Sequence, residues 1–344
     1  MLLFTPLSTA WRRMFFDRKA EFWLHELRPE WSLHERRARV VEVIDETADT
    51  KTFVLEAAAW PGHRAGQFVP ITVEIDGTRV TRCYSITTLP NRRRLAIAVK
   101  RVPGGRMSNH LHDHVRRGAV VVLGEPAGDF TLPDRAPARI ALIAGGSGIT
   151  PVLAMLRDLR HRKSSADIVV LQAARTEADA AFAAELSACT TAKLRVIAHR
   201  DDAAGFLTKT SLVAAIPDLA TREIYTCGPT ALMDLVEAAA GKPVHRERFT
   251  AAPLPIAHGA KTRVHLAVAN RTVEIDGHGT LLEQLERAGE RPAHGCRMGI
   301  CNTCRCTARG ATSDLATGAT STEPDRSIRL CTSVATGADL ELSL

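Results

Sequence analysis

The chain has 344 residues, of which 45% are hydrophobic and 24% charged, and its formal net charge is +7. This length predicts two or three domains, and the composition is that of a globular protein. No apolar run reaches the roughly 18 residues of a membrane span, and the first residues lack the apolar segment and cleavage site of a signal peptide, so we expect a cytoplasmic protein.

The excess of basic residues allows two interpretations. It can reflect a solvated surface together with arginines that bind a phosphorylated cofactor. It can also serve docking onto an acidic redox partner or an anionic membrane face. Nucleic acid is disfavoured as a partner, because no stretch interleaves basic residues with aromatic ones.

The first third of the chain predicts an arm followed by strands. Residues 1–36 form an amphipathic arm whose apolar side chains recur at roughly helical intervals, and which packs on the body of the protein or lies on a membrane surface. Residues 37–134 show alternating patterns that predict a small antiparallel barrel with one short helix. The predicted strands are Ala38–Ile44, Thr52–Leu55, Gln67–Val73, Thr78–Tyr84, Leu95–Lys100 and Val120–Leu123, and the helix is Ser108–His114.

The remainder of the chain predicts two further domains. In residues 138–249, strands near 140–144, 168–173, 194–199 and 224–227 alternate with helices near 151–161, 178–188, 209–215 and 230–239, which predicts an α/β domain with a parallel sheet. Residues 250–260 are a linker rich in proline and alanine. Residues 261–344 begin as a hairpin, continue with a helix at Thr280–Ala288, and end in a strand at Leu340–Leu344.

Four cysteines of the last domain form the most specific motif. Cys296, Cys301 and Cys304 have the spacing C-x4-C-x2-C, and Cys331 follows after a longer gap. This is the spacing of plant-type ferredoxins, in which four thiolates hold a 2Fe-2S cluster. A zinc site is less consistent, since zinc ribbons usually carry two C-x2-C pairs, and structural disulfides are rare in the cytosol. We interpret Cys306 as a core residue on the outgoing strand.

Two stretches of the barrel domain suit a bound flavin. Arg82-Cys83-Tyr84-Ser85 ends a strand, so an arginine can reach a phosphate, a tyrosine can stack on a ring, and a hydroxyl can bond a ring edge. Gly104-Gly105-Arg106-Met107-Ser108 opens the helix, where free N–H groups can hold a pyrophosphate. Each stretch alone is equally typical of an ordinary strand or of a loop with a serine cap.

Two loops of the α/β domain suit a dinucleotide. Gly145-Gly146-Ser147-Gly148-Ile149-Thr150-Pro151 follows an apolar strand and precedes a helix, as a phosphate-binding loop does. Cys227-Gly228-Pro229 follows the last predicted strand of this sheet, where parallel sheets bind ligands. Arg175 and Arg200 follow two other strands and can hold the 2′-phosphate of NADPH, although each is also typical of a solvated surface.

Together these five motifs resemble the ferredoxin-NADP reductase superfamily, in the branch with a C-terminal plant-type ferredoxin domain. They occur in the family's order over residues 37–344. The resemblance implies three domains: an antiparallel β-barrel that binds FAD (37–134), an α/β domain with a parallel sheet that binds NAD(P) (138–249), and an α+β domain of β-grasp type that holds the 2Fe-2S cluster (261–344).

The resemblance also assigns roles to residues. It places Arg82, Tyr84 and Ser85 at the flavin and Gly105, Arg106, Met107 and Ser108 at its phosphates. It places the dinucleotide at Gly146, Ser147, Gly148, Thr150, Cys227, Gly228 and Pro229, and Phe249, which closes Glu247-Arg248-Phe249, beside the flavin. Tyr84, Ser85, Thr150 and Cys227 would be the catalytic group that borders the two reacting rings, and the cluster ligands would be Cys296, Cys301, Cys304 and Cys331.

The implied activity is electron transfer from NADPH or NADH, through FAD (FMN being less expected) and the cluster, to an acceptor protein. The arm around Phe22-Trp23 and the loop that begins at His294, where an aromatic is common, are similar to reductases of membrane acyl-CoA desaturases. A fatty acyl-CoA desaturase is therefore the expected client, with peripheral contact to a membrane. The alternatives are a ring-hydroxylating dioxygenase or monooxygenase as client and, from a different class, a zinc-binding adaptor.

Overall fold

The structure is a computed structural model that describes residues 28, 30–58, 60–90, 93–249, 261–295, 297, 299, 302–315 and 317–344. The predicted linker at 250–260 and most of the predicted arm lie outside these residues. Two apolar residues of the arm are described, Trp31 and Leu33, and they are 46% and 47% exposed. About half of each side chain is thus covered, and the packing of the arm as a whole stays a prediction.

The first folded unit is the predicted antiparallel barrel. Its sheet has the order β4-β3-β6-β1-β2-β5, and a bridge between Ile86 and Ile97 joins its two ends. Alternate side chains fill the interior, among them Val69, Ile71 and Val99. Its elements are β1 (Arg36–Thr47), β2 (Thr50–Glu56), β3 (Phe68–Ile75), β4 (Thr78–Ser85), β5 (Arg94–Lys100), α1 (Arg106–His114) and β6 (Val120–Leu123).

The second unit is the predicted α/β domain. Its five strands are all parallel and have the order β11-β10-β7-β8-β9. The elements are β7 (Arg139–Gly145), α2 (Ile149–His161), β8 (Asp167–Ala174), α3 (Ala183–Ala188), β9 (Leu194–Arg200), α4 (Asp201–Ala204), α5 (Lys209–Ala215), β10 (Glu223–Cys227), α6 (Thr230–Ala240) and β11 (His245–Glu247).

The central strand β7 explains why this sheet is covered on both faces. Ile140 and Leu142 belong to one apolar cluster, whereas Ala141 and Ile143 belong to another on the opposite face. A strand that is buried on both faces has a continuous apolar sequence, and this pattern predicted β7. The order of strands reverses between β7 and β10, so the loops after these two strands meet at the crevice where such sheets bind ligands.

The third unit is a mixed sheet of the ferredoxin type. The strands have the order β13-β12-β17-β14-β15, β16 pairs with β14, and the β12–β17 pair is parallel. The helix begins after a capping box in which Thr280 and Glu283 bond each other's backbone. The elements are β12 (Thr262–Leu266), β13 (Arg271–Ile275), α7 (Leu281–Arg287), β14 (Arg305–Asp314), β15 (Thr320–Ser321), β16 (Arg326–Arg329) and β17 (Ser333–Leu342).

The predicted fold class is confirmed, with differences at several boundaries. The closing strand begins at Ser333 and ends at Leu342, whereas the sequence predicted Leu340–Leu344, because the small residues before Leu340 show no clear alternation. The predicted helix near 178–188 covers only Ala183–Ala188, because Phe182 adopts a left-handed conformation with φ of 63°. The described helices include none with both the length and the apolar character that crossing a bilayer demands.

Candidate redox site

The end of β4 combines the predicted flavin residues with an unsatisfied polar atom. Ser85 is buried, and its Oγ has no hydrogen-bond partner among the described residues. A buried hydroxyl without a partner is unfavourable unless a ligand bonds it, so this atom fits the edge of a bound ring. Tyr84 packs beside the barrel core, and burial raises the pKa of its phenol, which therefore stays protonated at neutral pH.

Arg82 joins this strand to the cysteine loop. Its Nη1 donates to the carbonyl oxygen of Thr81 at 2.7 Å and to that of Gly295 at 3.4 Å. Gly295 immediately precedes Cys296, and 213 positions separate the two partners in the chain. The predicted flavin strand and the predicted cluster loop are therefore in direct contact.

The start of α1 offers backbone groups to a phosphate. Gly105 caps this nine-residue helix, and no side chain of the described residues makes a cap hydrogen bond to its first free N–H groups. The side chains are engaged elsewhere: Arg106 donates to the carbonyl of Ile75 at 2.7 Å, the Ser108 hydroxyl accepts from the N–H of Val102, and Met107 is buried in the barrel. The backbone of Gly105–Ser108 fits an anion better than its side chains do.

The loops after β7 and β10 form a tightly packed crevice. A Cβ atom on Gly148 would lie 2.1 Å from the carbonyl oxygen of Cys227, so only glycine fits at this position. Gly146 and Ser147 form a turn of 3₁₀ helix with it, and the Thr150 hydroxyl donates to the carbonyl of Ser147 at 3.0 Å. The structure thus brings both predicted dinucleotide loops together, with Gly228 and Pro229 packed against the first glycine of the motif.

Two acidic groups that are shielded from water lie on the edge strand β11 and on its neighbour β10. Cys227 pairs with Glu247 across β10 and β11, and burial raises the pKa of the thiol well above its usual value, with a further contribution from Glu247. Burial also raises the pKa of Glu247 to about 8, and its Oε2 has no hydrogen-bond partner among the described residues. Phe249 follows and is 38% exposed.

Glu247 is half-buried, and the sequence did not predict that one of its carboxyl oxygens is shielded from water. It stands in a polar triplet, His245-Arg246-Glu247, that shows no strand pattern. Its burial arises because β11 docks beside β10, and no signal in the triplet itself indicates this.

The two predicted 2′-phosphate arginines already have carboxylate partners. Arg200 Nε lies 2.6 Å from Glu177 Oε2, and its Nη1 donates to the carbonyl of Gln172. Arg175 Nη2 lies 3.0 Å from Asp179 Oδ1. Both arginines stand at the rim of the sheet as expected, but a phosphate would compete with these ion pairs.

The described part of the cysteine loop fits a cluster. Cys304 and Cys331 are buried with their Sγ atoms 3.3 Å apart, much longer than a disulfide bond, and the N–H of Gly299 donates to Cys331 Sγ at 3.2 Å. Gly299 has a φ of +76°, and a Cβ there would lie 2.6 Å from Thr332 Cγ2. The other two predicted ligands, Cys296 and Cys301, lie outside the described residues.

Cys306 is not part of this site. It belongs to the core of the third unit, and burial raises the pKa of its thiol to about 12. Its interpretation as a packing residue is confirmed.

The comparisons with known proteins match all three units. Family models match at 37–132 (oxidoreductase FAD-binding domain), 142–238 (oxidoreductase NAD-binding domain) and 264–336 (2Fe-2S iron-sulfur cluster binding domain). The chain is 35% identical to the NADPH oxidoreductase of Mycobacterium tuberculosis, over 92% of this chain and 86% of that protein.

Two reductases of oxygenase systems are also similar. The chain is 30% identical to the glycine betaine monooxygenase reductase subunit of Chromohalobacter salexigens, over 80% of this chain and 85% of that protein. The structure of phthalate dioxygenase reductase aligns with a TM-score of 0.63 and 28% identity, over 90% of this chain and 98% of that one.

The chain belongs to the ferredoxin-NADP reductase superfamily. It is a member of the branch with a C-terminal 2Fe-2S domain, as its motifs predicted. It is an NAD(P)H-dependent oxidoreductase whose cofactors are FAD, a 2Fe-2S cluster and a pyridine nucleotide. The match to an iron-sulfur domain favours this assignment over the zinc-binding adaptor that we considered from the cysteines alone.

Proposed function

We propose that this reductase passes single electrons from NADPH or NADH to the oxygenase component of a monooxygenase or dioxygenase. The observation that carries the proposal is the contact of Arg82 with the carbonyl of Gly295, which joins the flavin strand to the cysteine loop. A flavin can accept two electrons as hydride and release them one at a time, and a 2Fe-2S cluster carries one at a time. A short path between their two sites is what such a relay needs.

The residues of the barrel would hold the flavin and keep its pocket dry. In this proposal the Ser85 hydroxyl bonds the ring edge, Tyr84 stacks against the ring, and the backbone of Gly105–Ser108 binds the pyrophosphate. Arg82 positions the cluster loop against the same strand.

The crevice would hold the pyridine nucleotide. The backbone of Gly146–Gly148 would hold the pyrophosphate, and Thr150 and Cys227 would border the nicotinamide. Burial keeps the Cys227 thiol protonated, so it contributes shape and does not act as a base. Arg175 and Arg200 would border the ribose. The 2′-phosphate of NADPH would have to displace Asp179 from Arg175 or Glu177 from Arg200, whereas NADH, which lacks this phosphate, would not.

The names of several relatives support an oxygenase as the client. They include the glycine betaine monooxygenase reductase subunit of Pseudomonas aeruginosa and the 3-ketosteroid-9-alpha-monooxygenase ferredoxin reductase component of Rhodococcus rhodochrous, which are 29% and 31% identical to this chain. A desaturase and a membrane contact remain predictions from the resemblance of the arm, most of which lies outside the described residues.

Replacing one predicted ligand tests the relay. In Cys301→Ser holoprotein, NADPH should still reduce the flavin, which is seen as bleaching near 450 nm, and ferricyanide should still be reduced. Reduction of cytochrome c should fall by about 100-fold or more, because the cluster no longer carries electrons out.

The matched control is Cys306→Ala, a neighbouring cysteine in the core, which should retain the cluster and its cytochrome c activity. Retention of full cytochrome c reduction by Cys301→Ser would contradict the relay. Release and chromatography of the flavin from the same preparations distinguish FAD from FMN.

A further inference from the structure

Two cavities meet at Asn302, which lies between Cys301 and Cys304 in the cysteine loop. The larger, about 720 Å³, lies between the barrel and the third unit and is lined by Thr72 and Thr81 on one side and His294 on the other. The smaller is about 430 Å³, and the described residues that line it all belong to the third unit. The loop therefore borders one cavity that faces the flavin domain and a second one that does not.

The smaller cavity is rich in positive charge, and we call it the basic basin, defined by Arg305, Arg326 and Arg329. Asp314 is the carboxylate that lines it, and it pairs with Arg329 at 2.9 Å. Arg305 and Arg326 have no carboxylate within ion-pair distance among the described residues. Five other arginines of this unit do have one, Arg263, Arg271, Arg287, Arg297 and Arg309, whereas Arg291, which lines the larger cavity, has none among the described residues.

The basic basin is continuous with the cluster loop. Arg305 directly follows Cys304, and Arg329 Nη1 donates to the carbonyl of Gly299 at 2.7 Å. The N–H of the same glycine donates to Cys331 Sγ. A molecule seated in the basin would thus lie beside the loop that carries the predicted cluster ligands.

The placement of the two arginines without a carboxylate partner indicates the kind of ligand. Arg305 pairs with Arg329 across β14 and β16, and Arg326 stands three residues earlier on β16. An odd separation along a strand puts side chains on opposite faces, so Arg326 reaches the basin from the other face, where its Nη2 donates to the carbonyl of Gly310. Two guanidinium groups held on different faces suit separate carboxylates on a protein surface better than one small anion, and the exposed hydroxyl of Thr317 adds a donor.

We propose that the basic basin is the docking surface for an acidic patch on the electron-acceptor protein. The inference rests on the proposed function and deepens it by naming the charge of the partner's contact surface. Complementary charge would steer the acceptor to the cluster side that the flavin domain leaves open. The +7 charge of the whole chain acts in the same direction at long range.

The test uses two cytochromes of opposite charge as one-electron acceptors: acidic cytochrome b5 and basic cytochrome c. The variant is Arg305→Glu, since Arg305 is exposed and its side chain is not bonded to the cluster loop. The matched control is Lys261→Glu, which makes the same change of charge at another exposed position of this unit, immediately before β12. Arg305→Gln adds a milder change should the reversal impair folding.

At low ionic strength, Arg305→Glu should reduce cytochrome b5 about 10-fold more slowly than the wild type and cytochrome c several-fold faster. The differences should vanish at high salt, where charges are screened. Flavin reduction by NADPH and the cluster absorbance should match the wild type. Lys261→Glu should follow the wild type with both cytochromes.

Equal behaviour of Arg305→Glu and Lys261→Glu, with a wild type that reduces both cytochromes, would overturn the docking surface and leave the proposed function standing. A wild type that oxidises NADPH and reduces neither cytochrome would overturn the proposed function itself. Inhibition by phosphate beyond that by chloride at equal ionic strength, lost in Arg305→Glu, would assign the basin to a small anion and also overturn the proposal.

Discussion

The nucleotide crevice and the cysteine loop are built in opposite ways. In the crevice two backbone segments pack so closely that Gly148 admits no side chain, and a neighbouring carboxylate oxygen of Glu247 has no partner among the described residues. In the loop, the predicted cluster ligands are side-chain sulfurs, and a backbone N–H from Gly299 already bonds one of them. The crevice is thus formed by closely packed backbone and has a polar oxygen without a partner among the described residues beside it. The loop, in contrast, is arranged around its own thiols.

The largest effect is expected from Gly148→Ala, which tests the rigidity of the crevice. The new Cβ would meet the carbonyl of Cys227, and relieving this overlap must separate β7 from β10. We expect a loss of about 3 kcal/mol or more in the free energy of unfolding, together with weak NADPH binding. Thermal unfolding measures the loss of stability, and the kinetics of flavin reduction at varied NADPH concentration measure the binding.

The control for this change is Gly146→Ala. Gly146 has a φ of +54°, but no described atom lies within 4 Å of the place that a Cβ would occupy, so only the backbone strain of about 1 kcal/mol remains. Similar unfolding energies for the two variants would contradict a close-packed crevice.

The second effect concerns pH and the shielded carboxyl group of Glu247. Its pKa is about 8 in the folded protein against an ordinary value of 4.5, so ionisation opposes folding as the pH rises between these values. Glu247→Gln should therefore gain stability over the wild type as the pH rises from 6 to 9, by up to about 3 kcal/mol. Below pH 4.5 this advantage should be absent.

Thermal unfolding of the two proteins across this pH range measures the difference. If the difference in the free energy of unfolding between the two proteins stays constant from pH 6 to 9, Glu247 is already ionised in the folded protein. The crevice would then not differ from the loop in having an unsatisfied polar group.

The smallest effect is expected from Gly299→Ala in the cysteine loop. A positive φ and contact with the methyl group of Thr332 predict about 2 kcal/mol of strain, which should lower the iron content and cluster absorbance while flavin content stays the same. Gly318→Ala is the control, since Gly318 has a similar φ of +73° with open space around it. An equal loss of iron in both variants would remove the special role of Gly299.

Much of this arrangement could be predicted from local sequence. The apolar run of β7 predicted a buried parallel strand, and the glycines after it predicted the crevice, because a close approach of backbones leaves few other residues possible. The cysteine spacing predicted the cluster domain, and a family model matches there. These signals lie within a few neighbouring residues.

Features that depend on distant segments could not be predicted. The burial of Glu247 follows from the docking of a three-residue edge strand, and the basic basin combines Arg305 with Arg326, which adjoin only because β14 pairs with β16. The partners of Arg200 and Arg82 likewise come from other segments. The charge and composition of the chain do not indicate which residues of distant segments become neighbours.

The contact between Arg82 and Gly295 has a consequence for biosynthesis. The two residues are 213 positions apart, so the contact can form only after both the first and the third unit have been synthesised. Closing so long a loop is a late event in folding. A nascent chain whose barrel has emerged from the ribosome therefore lacks this contact between the end of β4 and the cysteine loop. The sheet that carries the loop is complete only when strand β17, near the end of this chain, has paired with β12 and β14.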